Sequence, residues 1–501
     1  MTRWGVPLAL VLMLAAPATA KDLYVNNSGT PACSDATTYA NNDAASPWCT
    51  VGRAAWGSTN RAAPNTSEAA QAGDHVYVTA GTYTTVGSDF KFTPAYQPAN
   101  SGTEESPIVF EAVGAVITTY TSGVGPVIGA EERHWITWKG PWTVSSSTAP
   151  TTTDTGSAIS WGSHGTVFDG VVLDGTGQSP DDNYPGVRFE YSQYGVVRNS
   201  VIRSFRHNSP SNGNGVGIQV YYSGDLLFEH NDISDCGLGI ALKAPFRPNE
   251  GFPWLPAQII VRFNLIYETT SGINIHRAPA GADIPTLVYQ NIVRSVTAYA
   301  FEYQETAQAD QPRHSKVVNN SVYGAPTCIL VRTDSTTGAA NVFRNNICMR
   351  ASSGGNALYT ELTSVATMSD RGRWAFDHNV WYNYGSNFAV IEANRTFAYW
   401  QGTMGQDVTS PEGITSDPRY ADPTNGDLRL CTGAGAPHAS CAGASPALAL
   451  GRAIHGIGGS DGTTIPAGAY ITGDEVIGPT EGEEPPTPTD PVRWRVRFRA
   501  G

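Results

Sequence analysis

The sequence predicts an all-β fold in which short parallel strands coil into a solenoid. Three observations predict it. An asparagine recurs at nearly constant spacing through the middle of the chain, each repeat carries short β-branched or aromatic runs, and helix formers are scarce. A period of about 20 to 35 residues of this kind is typical of stacked coils of strands. A chain of 501 residues is long for one ordinary domain, but a solenoid grows by adding coils and reaches this length as one body.

The repeat has the form apolar-x-x-Asn-x-apolar, with one shift allowed. Its steps are 32, 33, 27, 29, 26 and 33 residues, between Asn199, Asn231, Asn264, Asn291, Asn320, Asn346 and Asn379. Upstream, Gly140 and Gly170 take the asparagine place. Asn and Gly both tolerate a left-handed backbone at a tight corner, and stacked asparagines can hydrogen-bond along a ladder. We therefore expect a corner and a ladder at this position, which an ordinary β-sandwich would not explain.

Composition excludes several other classes of protein. The chain has 31 basic and 44 acidic residues, a formal charge of −13, with 15% charged and 40% hydrophobic residues. Disorder requires low hydrophobicity with high charge, and a coiled coil requires a chain rich in Ala, Glu, Lys and Leu. Because the chain is acidic and has no basic block, we expect no nucleic-acid partner.

Residues 1–20 have the features of a secretory signal peptide. Arg3 supplies a positive end, Leu8–Ala16 is apolar, and an Ala-x-Ala cleavage site ends at Ala20. The apolar stretch is too short to span a bilayer, and no other apolar run is long enough. We expect a secreted or periplasmic monomer without an integral membrane span, with a solenoid domain over 21–475 and an acidic Pro-rich linker with an Arg-rich tail over 476–501.

The seven cysteines contain no C-x2-C pair, so their spacing does not predict a zinc site. In an oxidising compartment, pairs close in sequence are favoured. The pairs we expect are Cys33 with Cys49, Cys431 with Cys441, and Cys328 with Cys348. Cys236 is then left over, and we expect it to be buried and inert.

Several segments resemble the right-handed parallel β-helix of the pectate-lyase-like superfamily, over most of the mature chain. They are 22–26, 46–50 and 73–83 near the beginning, and 417–430 and 444–448 near the end. The resemblance implies a right-handed parallel β-helix whose open N-terminal end is capped by a short helix around Val51–Trp56. It also implies a polysaccharide as the partner.

In one strand of each coil, two apolar residues in alternate positions are expected to face the core, and this pair sets the register between coils. The residues that alternate with them then face outward. The predicted outward column is Glu190, Tyr221, Lys243, His276, Glu302, Arg332 and Glu361. A second column is Arg188, Gln219, Ala241, Asn274, Ala300 and Leu330. Neighbouring coils are about 4.8 Å apart, so these residues form one polar stripe suited to gripping an extended, charged sugar chain.

Lys243 is the most informative member of this stripe, because the chain has only five lysines. A partly desolvated lysine beside another cation loses its proton more easily and can act as a base. That chemistry suits β-elimination on a uronic acid, with a neighbouring cation stabilising the developing charge and Tyr221 or His276 protonating the leaving oxygen. The predicted catalytic residues are Lys243, His276, Tyr221, Glu302 and Arg332. The predicted substrate-binding residues are Glu190, Arg188, Gln219, Asn274, Arg277 and Trp254.

The resemblance also implies a lyase that uses a Lys or Arg base, often with calcium neutralising the uronate. The chondroitinase B and alginate lyase type pairs a lysine with an arginine on the following coil, where this sequence offers His276 and Arg277. Candidate calcium ligands are the acidic residues Asp225, Glu229, Asp232 and Asp235.

Other functions stay open at this point. A glycoside hydrolase could use Glu302 and Glu361, which in the predicted column are two coils apart, nearly 10 Å, close to the upper separation of an inverting pair. Arg332 between them would keep both ionised, so an acid from Asp334 or Glu305 is a further option. A non-catalytic carbohydrate-binding or adhesion protein fits the same fold, and an epimerase would share the proton abstraction.

Overall fold

The computed structural model describes residues 20–85, 92–120, 125–146, 156–176, 184–206, 215–243, 258–276, 285–305, 315–333, 341–360, 374–391, 393–408, 417–454, 457–458, 460 and 462–480. Through these residues the chain winds as a right-handed parallel β-helix, as predicted. There is little helix: α1 is Val51–Trp56 and α2 is Phe397–Gly402.

The strands are short and follow one another closely along the chain. In order they are β1 Asp22–Val25, β2 His75–Thr85, β3 Ile108–Tyr120, β4 Ile128–Glu131, β5 Ile136–Ser146, β6 Ala158–Trp161, β7 Val167–Asp174, β8 Val187–Glu190, β9 Val196–Arg198, β10 Val201–Arg203, β11 Val216–Tyr221, β12 Leu226–Glu229, β13 Asp232–Ser234, β14 Leu238–Lys243, β15 Ile259–Arg262, β16 Leu265–Tyr267, β17 Ser271–His276, β18 Thr286–Tyr289, β19 Ile292–Arg294, β20 Tyr299–Glu305, β21 Ser315–Val318, β22 Ser321–Tyr323, β23 Thr327–Thr333, β24 Asn341–Arg344, β25 Ile347–Met349, β26 Leu358–Thr360, β27 Trp374–Asp377, β28 Val380–Tyr382, β29 Ala389–Ile391, β30 Ala393–Arg395, β31 Tyr420–Asp422, β32 Asp427–Leu430, β33 Gly451–Arg452 and β34 Thr464–Ile465.

These strands build two large sheets along the solenoid. Sheet B contains β4, β6, β8, β11, β14, β17, β20, β23, β26, β29 and β30, and sheet A contains the other strands from β1 to β28. A typical coil runs through β12, turns a corner into β13, and then enters β14 of sheet B. The cross-section therefore has three sides, two from sheet A and one from sheet B. Pairing between coils is parallel except where β30 turns back on β29.

The core is a continuous apolar column inside the coil. In the coil of β12, β13 and β14, the inward residues Phe228, Ile233, Ile240 and Leu242 are at most 1% exposed. Helix α1 covers the N-terminal end of this column with Val51, Ala54 and Ala55, which confirms the predicted helical cap. Thr50 begins the helix by accepting the Arg53 N–H, and Gly57 ends it at φ 70°.

The corner between the two parts of sheet A carries the predicted asparagine ladder. Asn264 Nδ2 donates to Asn291 Oδ1 at 2.9 Å, and Asn291 Nδ2 donates to Asn320 Oδ1 at 3.0 Å, with the same pattern from Asn231 to Asn379. The explanation by backbone conformation was wrong, however. The left-handed residue is the one before each ladder asparagine, such as Phe263 at φ 56° and Gln290 at φ 53°. The ladder side chain is buried inside the corner, while its neighbour makes the sharp turn.

The first asparagine of the repeat illustrates this shift by one residue. Asn199 is itself left-handed, at φ 52°, and Ser200 takes the ladder position, where its N–H donates to Asn231 Oδ1. At the other end the ladder closes on Asp407, which accepts from Asn379 Nδ2, Trp381 Nε1 and Trp400 Nε1. The amide-to-amide bonds of the ladder thus all run toward the C-terminal end, where a carboxylate that only accepts receives the last of them.

After the last coil the chain runs back over the outside of sheet A. We call the described residues between 417 and 480 the C-terminal strap. Its backbone reaches successive left-handed corner residues, as in Arg452 O with Asn345 Nδ2, Pro466 O with Asn319 Nδ2, Ala469 O with Gln290 Nε2, and Gly478 N with Phe263 O. Its last described residue, Thr480, donates to Asn199 Oδ1 at 2.8 Å.

The strap also buries apolar side chains that would otherwise be on the surface of sheet A. Ile292, Ile347 and Val380 are at most 3% exposed and pack with Leu428 and Leu430 of the strap. The division of the chain at 475 stays a prediction. Residues up to 480 contact the body, and 481–501 lie outside the described residues, as do residues 1–19 of the expected signal peptide.

The predicted disulfides are confirmed. They join Cys33 to Cys49, Cys328 to Cys348, and Cys431 to Cys441. Cys236 is a free, fully buried thiol, as predicted, and burial raises its pKa to about 12. Among the described residues, no helix is both long and apolar enough to cross a membrane.

Candidate functional site

The outward face of sheet B carries the two predicted columns of side chains. Along the first column lie Trp161, Glu190, Tyr221, Lys243, His276, Gln304 and Arg332. Along the second column lie Ile159, Arg188, Gln219, Ala241, Asn274, Glu302, Leu330 and Tyr359. The sequence thus predicted most of both columns.

The predicted position of Glu302 was wrong by two residues. Glu302 pairs with Asn274 in the second column, and Gln304 takes the place beside His276. Ala300 was misplaced in the same way. Ala300 occupies the position on its coil that Gly272 occupies on the coil before. A Cβ added at Gly272 would lie only 2.5 Å from the Ala300 carbonyl oxygen. Small residues recur at this point of each strand, and aligning them would have given the correct register.

Lys243 ends β14 and is half-buried. Its backbone pairs with His276 on the next coil, and Tyr221 precedes it on the coil before. The side chain of His276 lies outside the described residues. So do Arg277, Trp254 and Glu361, together with Asp334 and the side chain of Glu305 from the hydrolase alternative.

Arg188 and Glu190 form an ion pair under the Tyr221 ring. Arg188 Nη2 is 2.5 Å from Glu190 Oε2, and the two side chains are 4% and 9% exposed. The Arg188 guanidinium also lies 4.8 Å from the centroid of the Tyr221 ring. Because the pair is closed and buried, its chemical effect here is to fix the position of Tyr221.

Glu302 and Arg332 form a second ion pair beyond His276. Arg332 Nε is 3.2 Å from Glu302 Oε1, and the side chains are 37% and 11% exposed respectively. A guanidinium beside a carboxylate favours the ionised carboxylate. Glu302 is therefore better suited to orienting a ligand than to donating a proton.

Two buried amides on the second column have unsatisfied hydrogen-bonding groups. Gln219 is fully buried, and among the described residues neither its Nε2 nor its Oε1 has a partner; Asn274 is 6% exposed and its Oδ1 also has none. Each such group costs about 1–3 kcal/mol. They lie on either side of Ala241, a small residue, and next to the column of Lys243. Most buried polar groups in folded proteins are hydrogen-bonded, so these unpaired amides need a specific explanation.

The four acidic residues considered for calcium do not form a site. Glu229 bonds Arg262 at 2.6 Å, Asp235 bonds Arg206 at 2.5 Å, and Asp225 accepts the Gln258 N–H. Burial raises the pKa of Asp225 and of Asp232. In the described ranges no three His, Cys, Asp or Glu residues are grouped closely enough to hold a metal ion.

Fold and site together define the class of protein: a right-handed parallel β-helix with a polar face on one sheet. A sequence profile described as "Right handed beta helix region" matches residues 142–347. No curated protein matches the sequence.

Among solved structures, pectate lyase Pel9A is similar, with 13% identity, a TM-score of 0.55, and coverage of 91% of this chain and 97% of that one. XylC in complex with xylose gives 12% identity, a TM-score of 0.42, and coverage of 73% and 84%. A rhamnogalacturonan lyase gives 13% identity, a TM-score of 0.40, and coverage of 72% of this chain and 87% of that one. At these identities the similarity to Pel9A shows the fold alone.

Proposed function

We propose that the protein is a secreted, monomeric polysaccharide lyase that cleaves a uronic-acid-containing chain by β-elimination. The observation that carries the proposal is the placement of Lys243 beside Tyr221, with the unpaired amides of Gln219 and Asn274 on the adjacent column. A base, a proton donor and uncommitted hydrogen-bonding groups thus face the same side of sheet B. The fold shared with a pectate lyase adds support by analogy.

In the proposed reaction, Lys243 Nζ removes the proton on C5 of a bound uronate. The electron pair of the C5–H bond forms the C4–C5 double bond, and the bond from C4 to the glycosidic oxygen breaks. The Tyr221 hydroxyl donates its proton to the leaving oxygen. Lys243 and Tyr221 are on neighbouring strands, about 4.8 Å apart, so the proton gained by the lysine can return to the tyrosine after the products leave.

The charge that develops on the uronate carboxylate needs hydrogen-bond donors fixed in advance. Gln219 Nε2 is such a donor, because it is buried and has no partner among the described residues. Asn274 Oδ1 is an acceptor suited to a sugar hydroxyl. Binding of the substrate would satisfy both amides and recover the free energy that their burial costs.

The test is to incubate the purified mature chain with alginate, pectate, chondroitin and ulvan, each with and without calcium. Absorbance at about 235 nm follows the unsaturated uronate that β-elimination makes. We expect a rise on one polymer that Lys243→Ala abolishes. Lys139→Ala is the matched control, because Lys139 pairs with Glu111 on sheet A, away from the site. A calcium requirement would appear as loss of the signal with a chelator.

Two other outcomes would overturn the lyase proposal. New reducing ends without absorbance would mean hydrolysis. The correct register places Glu302 against Arg332 rather than in the column of Lys243, which weakens that alternative. Retention on a polysaccharide without any cleavage would mean a binding or adhesion protein.

Secretion is part of the proposal. The features of residues 1–20 and three disulfides support it, since disulfides persist in oxidising compartments. N-terminal sequencing of the exported protein is expected to begin at Lys21. An intact N-terminus on a cytosolic protein would contradict it.

A further inference from the structure

Aromatic side chains lie where the chain leaves sheet B in the N-terminal half of the solenoid, and Phe92, from the segment between β2 and β3, packs against them. We define the aromatic ladder as Phe92, Trp161, Tyr191 and Tyr222. Phe92 stacks on Trp161 with ring centroids 3.7 Å apart, Trp161 meets Tyr191 edge to face at 5.2 Å, and Tyr191 stacks on Tyr222 at 5.1 Å. All four are half-buried, so each ring keeps part of its surface in solvent.

A second row of rings lies three residues further along these turns. Trp135 and Tyr194 are nearly parallel, with an interplanar angle of 11° and centroids 6.1 Å apart. They meet because Gly165 lies between them: a Cβ there would be 2.1 Å from the Trp135 ring. Tyr194 is 47% exposed, one of the most exposed large side chains in the described residues.

The backbone of these turns is unfavourable for the residues it carries. Trp135, Tyr191, Tyr194 and Tyr222 have φ between 46° and 57°, where bulky residues are uncommon and glycine is favoured. The intervening turn uses glycine at both places, at Gly162 and Gly165. Outside these turns, Phe263 is the only Phe, Tyr or Trp with a left-handed backbone in the described ranges. The aromatic residues therefore contribute something other than ease of folding, and strain of this kind is typical of functional sites.

Serine side chains hold the turns in place beneath the rings. Ser192 Oγ donates to Ser160 O at 2.9 Å, and the Ser192 N–H donates to Ser223 Oγ at 3.0 Å. Ser163 Oγ donates to Ala130 O on the preceding coil. The rings are thus positioned before any ligand arrives, which lowers the entropy lost on binding.

The aromatic ladder continues the column that contains Lys243. Trp161 pairs with Glu190, and Glu190 with Tyr221, so the column runs without a break from the base to the rings, over about 15 Å. The turns here are short, at 162–166, 191–195 and 222–225, whereas beyond Lys243 the connections lengthen to 244–258 and 277–285. A polysaccharide lying along the helix axis over Lys243 would pass over the rings.

The charges around the ladder favour neutral sugars over uronates. Glu131 and Glu132 bring two carboxylates against the one guanidinium of Arg133, while Glu190 and Arg188 neutralise each other in their ion pair. Arg188 is already paired with Glu190, and Arg133 donates to the carbonyls of Ala99 and Glu132. A run of uronates would therefore be repelled here, while the apolar C–H face of a neutral pyranose can stack on the rings.

We propose that the aromatic ladder, together with the second row of Trp135 and Tyr194, is a second carbohydrate-binding site, which holds neutral sugar residues of the same polysaccharide whose uronate lies at Lys243. The proposal deepens the proposed function and implies a mixed substrate in which neutral sugars accompany the uronate. Binding can be measured without cleavage, so its failure is distinguishable from failure of the lyase proposal.

The experiment is affinity electrophoresis of the Lys243→Ala protein in native gels that contain galactomannan, xyloglucan, rhamnogalacturonan or polygalacturonate. We expect retardation by at least one polymer that contains neutral sugars. Adding Tyr191→Asn and Tyr222→Asn should weaken the apparent affinity at least tenfold, because asparagine accepts the left-handed backbone but offers no ring. Phe263→Asn is the matched control, since Phe263 is an aromatic residue at a left-handed corner under the strap, where it stacks on His230.

Three results would overturn the proposal: no retardation by any polymer, equal retardation with and without the two tyrosines, or retardation by polygalacturonate alone. If the double variant does not fold, as judged by its melting temperature, Tyr194→Ala provides the test, because that side chain is exposed and its loss leaves the core intact. Loss of retardation by Tyr194→Ala would support the proposal, and unchanged retardation would overturn it.

Discussion

Gln219 combines a cost to folding with a proposed role in binding. Its amide is fully buried, and neither polar atom has a partner among the described residues. Most buried amides in proteins are satisfied, so this one opposes folding, and binding of the proposed substrate would remove that cost. The same reasoning applies more weakly to Asn274, where one atom is unpaired.

Gln219→Met should therefore raise stability and weaken substrate binding. The thioether side chain has a similar volume and removes the unsatisfied amide, so we expect a gain of about 1 kcal/mol in the free energy of unfolding. We also expect an increased KM on the cleaved polymer. Urea unfolding and initial rates measure the two effects. A less stable variant with unchanged KM would show that the amide is satisfied in solution and does not meet substrate.

Three histidines give the protein a predictable response to acid. Burial lowers the pKa of His134, His164 and His230 below the usual value near 6.5. Below that pH the unfolded chain binds protons that the folded chain resists, so the free energy of unfolding falls as pH falls. We expect lower urea midpoints at pH 5.5 than at pH 8. His230→Asn, which suits the left-handed backbone at this position, should reduce the difference. An unchanged difference would contradict the assignment to His230.

At the scale of the element, the asparagine ladder ties each coil to the next. Asn291 donates to Asn320 Oδ1 and to the carbonyls of Val261 and Tyr289, and accepts from Asn264. Replacing one rung leaves buried groups on both neighbouring coils without partners. The ladder is therefore expected to be more sensitive to substitution than a surface hydrogen bond.

Asn291→Ala should lower the free energy of unfolding by about 3 kcal/mol, because more than one buried group loses its partner. Asn291→Ser is the matched control. Ser200 already occupies the first rung and accepts the Val171 N–H through its hydroxyl, so serine should cost less than alanine. Equal losses for the two variants would show that the amide bonds do not carry the effect.

The sequence was sufficient for the repeat, the ladder, the disulfides and the direction in which each strand faces. Period and residue type determine these features, because each depends on contacts between equivalent positions of neighbouring coils. The backbone conformation at the corner could not be predicted from the sequence, because asparagine both forms ladders and adopts the left-handed backbone. Only the structure shows that Asn199 is the left-handed residue and that Ser200 occupies the ladder position.

The site was predicted in part for a related reason. The inward apolar pair fixes which residues face outward, so Lys243, Tyr221 and Gln219 were placed correctly. It fixes the step along the strand less well, because β20 offers Tyr299, Phe301 and Tyr303 as alternating apolar residues. A shift by two keeps every residue on its face, which is why Glu302 was assigned to the wrong column. Small residues packed against the backbone of the next coil, such as Gly272, would have fixed the step along the strand.

At the scale of the molecule, the C-terminal strap connects successive coils along the outside of sheet A, whereas the asparagine ladder connects them from inside the corner. It contacts corner residues from Asn345 back to Asn199 and covers Ile292, Ile347 and Val380. Without it, these side chains and the last coils would face water.

A chain ending at residue 416 should therefore melt at a lower temperature than the full chain and bind a hydrophobic dye. A chain ending at residue 480 is the matched control and should melt as the full chain does. Differential scanning calorimetry compares the three. Equal melting temperatures for the chains ending at 416 and 480 would show that the strap adds no stability.

The route of the strap also determines which way the molecule would face if it were attached to something. Thr480 rests on Asn199, at the corner between the two sides of sheet A. In a three-sided coil that corner is opposite the third side, which is sheet B. The chain therefore leaves the described body at Thr480, behind the molecule, and a cell envelope or another protein attached close to this point would leave Lys243 and the aromatic ladder turned outward toward the surroundings.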